Sequence, residues 1–128
     1  MNDTRSILLV DHDCEYGRAM KKMLDESGYD VTVVRDGREA LCVLSNNVFD
    51  VIISALRMPN VNGIEMMEEI RRTRIDTPVI FVTAYGEVES YMDLMNMGAF
   101  EYLNKPAKGR DILNVANEAV EAYTGSRS

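Results

Sequence analysis

The chain has 128 residues, 46% of them hydrophobic and 27% charged, with a formal net charge of −7. That length suffices for one domain burying about two thirds of its unfolded surface without disulfides, and the composition excludes disorder and fibrous structure. The acidic balance works against non-specific attraction to nucleic acid or an anionic membrane surface, so neither is expected as a direct partner.

In chain order, "SILLV" (6–10) reads as a first strand. A helical stripe of Tyr16, Ala19, Met20, Met23 and Leu24 follows, with Asp13 as its cap and Gly28 at its stop. "DVTVV" (30–34) is the second strand, and Asp36 before "GREALCVL" starts the next helix. "DVIIS" (50–54) is the third strand, and Asn62-Gly63 before "IEMMEEI" starts the third helix, with Ile64, Met67 and Ile70 facing inward. The charge run "EEIRRTR" (68–74) reads as a solvated face whose basic end suits the helix dipole. "PVIFV" (78–82) is the fourth strand. The fourth helix, "EVESYMDLMNMG", stops at Gly98, and "AFEYL" (99–103) is the fifth strand. The last helix carries Ile112, Val115, Ala116, Ala119, Val120 and Tyr123 on one face. The tail "GSRS" reads as a vector-derived scar over 125–128, which leaves one domain over 4–124.

Strands rich in Val, Ile and Leu that alternate with helices imply a parallel sheet covered on both faces, a doubly wound α/β (βα)5 domain. No apolar run approaches the roughly 20 residues of a membrane span, and "MNDTRS" lacks a signal pattern, so a cytoplasmic protein is expected. Cys14 and Cys42 have neither CxxC nor metal-ligand spacing and are expected as buried or half-buried free thiols of a reducing compartment.

In such a sheet, function gathers outside the carboxyl ends of the strands. The residues there are Asp11, His12 and Asp13 after the first strand, 55–62 after the third, 83–86 after the fourth, and Asn104, Lys105 and Pro106 after the fifth. In this order, "ILLVDHD", "DVIISALRMPNVNG", "VIFVTAYG" and "GAFEYLNKP" resemble the four motifs of the receiver domain of two-component response regulators. The resemblance covers nearly the whole chain and implies a flavodoxin-like fold with strand order 2-1-3-4-5.

What the resemblance implies for chemistry is specific. An aspartate at the end of the third strand takes a phosphoryl group from a histidine kinase, and it shares Mg²⁺ with acidic residues after the first strand and with a backbone carbonyl two residues on, here Arg57. Cations neutralise the spreading charge of phosphoryl transfer, and Mg²⁺ takes hard oxygen ligands. Counting back from Met58-Pro59 puts Ala55 at the acceptor position, where a methyl group neither attacks phosphorus nor ligates a metal. Ser54 is no substitute, since neighbours on a strand face opposite ways. His12 fills the second acidic position of the pocket formed by Asp11, His12 and Asp13; Asp13 either swings in or, in the preferred reading, caps the first helix, which leaves Asp11 as the metal carboxylate. Mg²⁺ is expected to be weak or absent and no other cofactor is expected. Lys105, the phosphate-sensing lysine of the resemblance, is expected to turn toward Asp11 or solvent.

The output residues match. Thr83 stands for the switch hydroxyl, Tyr102 for the switch aromatic, and Lys105-Pro106 for the pair joined by a cis peptide. Ala107 departs from the bulkier residue common there. On the fourth helix Val88, Tyr91, Met92 and Met95 lie at helical spacing, and Tyr91 and Met97 widen that face beyond what one sheet contact needs; it is read either as core packing or as an interaction face of Tyr91, Met92, Met95 and Tyr102, used by a signalling partner or for a homodimer through helix 4, strand 5 and helix 5. A C-terminal effector domain is a further expected partner. Intact "RMP", Thr83, Tyr102 and Lys105 fit a recent or deliberate loss of the acceptor, and His12 fits natural decay.

The chain is read as a signalling module and not an enzyme, because one histidine without a placed nucleophile makes no triad. His12 alone, without a second ligand at spacing, is read as solvated. The alternative is a flavodoxin-like small-molecule-binding domain. It needs phosphate-cradling amides after the first strand, where Asp11-His12-Asp13 stands instead.

Overall fold

The apolar runs become strands and the amphipathic stretches become helices, the first three of them started by a side chain that accepts a free backbone N–H. The computed structural model describes residues 4–58, 60–84, 88–105 and 107–127, of which 83–84, 88–91 and 124–127 are described by their backbone alone. Among the described residues, strands β1 (Ser6–Val10), β2 (Asp30–Val34), β3 (Val51–Ser54), β4 (Val79–Ala84) and β5 (Glu101–Lys105) alternate with helices α1 (Cys14–Glu26), α2 (Gly37–Leu44), α3 (Gly63–Arg72), α4 (Val88–Asn96) and α5 (Gly109–Arg127). All pairings are parallel, in the order β2-β1-β3-β4-β5. This is the doubly wound α/β fold expected from the sequence.

The helix starts fall at the expected residues. Asp13 accepts the Tyr16 N–H, Asp36 accepts the Glu39 N–H, and Asn62 forms a capping box with Glu65. Each satisfies donors that a first helical turn leaves unpaired. After α1 and α4 the chain turns through Gly28 (φ 99°) and Gly98 (φ 96°), a backbone region that favours glycine.

Two cores flank the sheet. One packs Leu8, Val10, Ile52 and Phe81 under α2, α3 and α4, where Met66, Met67, Ile70 and Leu94 are fully buried. The other packs Ile7, Leu9, Ile53 and Val82 under α1 and α5 through Leu24, Ile112, Ala116 and Ala119. Successive strand residues enter opposite cores, as the two-residue period requires.

Several expectations are corrected. β4 runs on to Ala84, and β5 spans Glu101–Lys105 instead of 99–103. Gly98 and Ala99 close α4 by donating to the Met95 and Leu94 carbonyls, and only Phe100 turns to the sheet, donating to Val79. Lys105 therefore ends a strand. Both cysteines are exposed instead of buried. Cys14 opens α1, and Cys42 lies off the face of α2 that buries Gly37, Ala40 and Leu44. The basic end of α3 is only partly solvated. Arg72 pairs with Glu69, but Arg71 is half-buried and donates to the carbonyls of Ile75, Met97 and Gly98, tying α3 to the end of α4. Among the described residues, no helix is long and apolar enough to cross a membrane.

Candidate functional site

The carboxyl ends of β1 and β3 lie side by side. Val10 is in register with Ser54, and the Ala55 N–H donates to the Val10 carbonyl at 2.8 Å. The next residue on each strand, Asp11 and Ala55, thus opens onto the same end of the sheet. Ala55 is 6% exposed, so its methyl group is part of a packed wall. Ser54 is buried too, and its hydroxyl donates to the Ala55 carbonyl at 2.7 Å. Its parity along β3 is that of Ile52, in the α2/α3/α4 layer, away from the parity of Ala55.

Asp11 is the buried charge of this end, at 3% exposure. One carboxylate oxygen accepts the Asp13 N–H at 3.0 Å, and the other accepts from the Lys105 ammonium at 2.8 Å. A buried carboxylate needs such partners, because isolated ionised groups are very costly to remove from water. Lys105 reaches it from β5, past the ends of β3 and β4, which lie between β5 and β1 in the sheet. Of the two orientations expected for Lys105, toward Asp11 or toward solvent, the structure has the first. The lysine is also placed over the Tyr16 ring, 4.1 Å from its centroid. Burial, then Asp11, then Asp13 push the Tyr16 phenol up to about 12.

His12 is exposed, with Nδ1 4.0 Å from the Asp11 oxygen that accepts the Asp13 N–H, and Asp13 is spent on the α1 cap. Arg57 is exposed in the loop after β3. That loop is fastened by Asn60, which takes a left-handed backbone (φ 69°) and donates to Asp36 at 3.1 Å. The Asp36 carboxyl is held below the usual range, mainly by the Glu39 N–H and further by Asn60. As a home for Mg²⁺ the donor set is thin. Among the described residues, no group of three or more His, Cys, Asp or Glu side chains gathers around a point. The buried carboxylate that is present already has a cation.

Most of the remaining candidates lie toward the β4/β5 edge of the sheet. Thr83 is on β4 in register with Asn104, and Tyr91 is on α4; both side chains lie outside the described residues. Pro59 and Pro106 lie outside them altogether. Tyr102 is half-buried against the α2/α3/α4 core, on β5. Met95 is half-buried and Met92 is 58% exposed, while Leu94, on which the sequence reading is silent, is fully buried on α4. The sequence places Tyr16 only on the inward stripe of α1. Its signal was positional: helix side chains lean toward the N-terminus, so an aromatic in the first turn of α1 overhangs the strand ends.

Residues 7–117 match the family described as "Response regulator receiver domain". Among curated proteins, the chain is 39% identical over 107 residues to "Transcriptional regulatory protein CpxR" of Klebsiella pneumoniae subsp. pneumoniae (strain HS11286), covering 84% of this chain and 45% of that protein. It is 34% identical over 125 residues to "Transcriptional regulatory protein ZraR" of Escherichia coli (strain K12), covering 98% of this chain and 28% of that protein. The chain therefore spans less than half the length of these two relatives. Among solved structures, a CheY-like response regulator receiver domain protein from Methanospirillum hungatei JF-1 superimposes with a TM-score of 0.92 at 27% identity, over 97% of this chain and 99% of that one. The receiver domain of Francisella response regulator 1452 gives 0.88 at 30% identity, over 93% and 98%.

Proposed function

Because the chain belongs to the response regulator receiver domain family, we propose that it is a signalling module of that family which does not accept phosphate at the family position. One observation carries the reading. The end of β3 presents the buried methyl of Ala55, and the adjacent carboxylate, Asp11, is already neutralised by Lys105 at 2.8 Å. Phosphoryl transfer needs an oxygen nucleophile and cations that balance the charge spreading over the phosphoryl oxygens. The methyl supplies no nucleophile. The lysine that would meet a phosphoryl group is engaged elsewhere.

Mg²⁺ binding is correspondingly weak or absent, because octahedral Mg²⁺ takes hard oxygen ligands and Asp11 offers a single carboxylate that is already paired. The protein acts by association and not as an enzyme. Its partner is a histidine kinase or another signalling protein, met through the face of Tyr91, Met92, Met95 and Tyr102. The same surface of α4, β5 and α5 serves a homodimer. Thr83 is the switch hydroxyl and Tyr102 the switch aromatic that such a face would use. A C-terminal effector domain fits the greater length of the relatives. Two exposed free cysteines fit the reducing cytoplasm.

Putting the carboxylate back tests the proposal. Ala55→Asp, incubated with acetyl phosphate and Mg²⁺, should take up one phosphoryl group, located at residue 55 by peptide mass spectrometry. Failure of this variant to label, while it remains folded, would mean that position 55 is not the acceptor position and would remove the basis of the reading.

A further inference from the structure

We infer that Tyr16 is the positioning residue of this pocket: its ring seats the Lys105 ammonium against Asp11 and so clasps the end of β5 to the start of α1. Four contacts form a closed circuit. The Tyr16 N–H donates to Asp13 Oδ1 at 3.1 Å, the Asp13 N–H donates to Asp11 Oδ1 at 3.0 Å, and Lys105 Nζ donates to Asp11 Oδ2 at 2.8 Å. The fourth returns from Lys105 to the face of the Tyr16 ring, with Nζ 4.1 Å from the centroid. That is within the reach over which an aromatic quadrupole attracts a cation.

The phenol oxygen takes no part. It is buried, and among the described residues it has no hydrogen-bond partner. The position of the ring is set instead by packing beside the α1/α5 core and by the ammonium above it. A lysine on a flexible four-carbon stem ordinarily samples many rotamers. Here the carboxylate and the ring hold it from two sides, so that the pocket carries its cation within the fold.

The clasp acts on the strand that carries Tyr102, since Tyr102 and Lys105 share β5. Its seat is on α1, on the opposite layer from α4. The start of α1 therefore fixes the end of the strand whose middle forms the interaction face, and it does so with no ligand. This holds whether or not the chain ever meets phosphate.

Proton NMR reads the seating directly. In the unmodified chain, the Lys105 ε-methylene protons should resonate upfield of those of the other lysines, because the amine end lies over a ring face. Tyr16→Phe keeps the face and should keep the shift, whereas Tyr16→Leu should lose it. Amide exchange along Glu101–Lys105 should be faster in Tyr16→Leu by about 2- to 30-fold, the range for one cation–π contact, and unchanged in Tyr16→Phe. An unmodified chain with no upfield shift overturns the inference, as does a shift lost in Tyr16→Phe; neither result depends on the leucine variant folding. With the leucine variant folded, a retained shift or unchanged β5 exchange overturns it equally.

Discussion

Replacing Lys105 with methionine keeps the length of the stem and removes the ammonium. The group left behind is Asp11, whose side chain is 2% exposed and retains only the Asp13 N–H as a described donor. At 2.8 Å the gross attraction in the pair is about 6 kcal/mol for an effective dielectric of about 20. Most of that offsets the removal of two ions from water. What decides the outcome is therefore the charge left unpaired. Breaking a buried pair from one side costs about 3–5 kcal/mol. The lysine keeps 26% exposure, and solvent screens its half of the pair, so about 2–3 kcal/mol is expected here. Asp11→Asn should cost a similar amount, since it leaves the ammonium half-seated. The double variant should cost less than the sum of the two, with a coupling of about 1.5–2 kcal/mol. Urea unfolding of the four proteins measures this, provided the slope m stays constant and only the midpoint moves. Additive single costs, with a coupling below about 0.5 kcal/mol, would refute the claim that Asp11 and Lys105 neutralise each other.

Gly63→Ala should destabilise the fold by about 1–3 kcal/mol, because its new Cβ would lie 2.8 Å from the Phe81 ring and 3.0 Å from Leu56; a thermal midpoint equal to the parent's would contradict the close approach of α3 to the sheet. The Tyr16 phenol, raised from 10.0 to about 12, favours the folded state while it is protonated. Its contribution is complete below the unfolded value near pH 10 and is lost as pH rises through about 12, so Tyr16→Phe should flatten the alkaline loss of stability, read as urea midpoint against pH. Ala55→Asp places a second carboxylate beside Asp11 and should lower stability without Mg²⁺. Adding Mg²⁺ should then raise the melting temperature of the variant, by up to about 2.7 kcal/mol of stabilisation at a hundredfold excess over Kd, and leave the parent unmoved.

What sequence reveals here follows the range of the interaction. The caps Asp13, Asp36 and Asn62 act on N–H groups within three residues, so their roles could be read from short spacings. The two cores followed from the periods of the apolar residues, and the strand order came with the family motifs. Ala55 was found by counting back from Pro59. The limits of β5 were missed because Ala99 is as apolar as a strand residue, yet its N–H is used to close α4. Cys14 and Cys42 were misplaced because thiols are common in cores, whereas these lie at a helix start and on an outer face. Arg71 and Tyr16 escaped for another reason. A guanidinium that binds carbonyls of the next loops, and a ring beneath a lysine from the last strand, pair residues far apart in the chain and leave no local pattern.

Intact mass of the unmodified chain after incubation with acetyl phosphate and Mg²⁺ tests the central claim most directly. The pocket has a methyl group where the acceptor carboxylate would be and a carboxylate already paired with lysine, so the account predicts an unchanged mass under conditions that label Ala55→Asp. A single phosphoryl adduct on the unmodified chain, acid-stable on Ser54 or hydroxylamine-labile on Asp11, would contradict it.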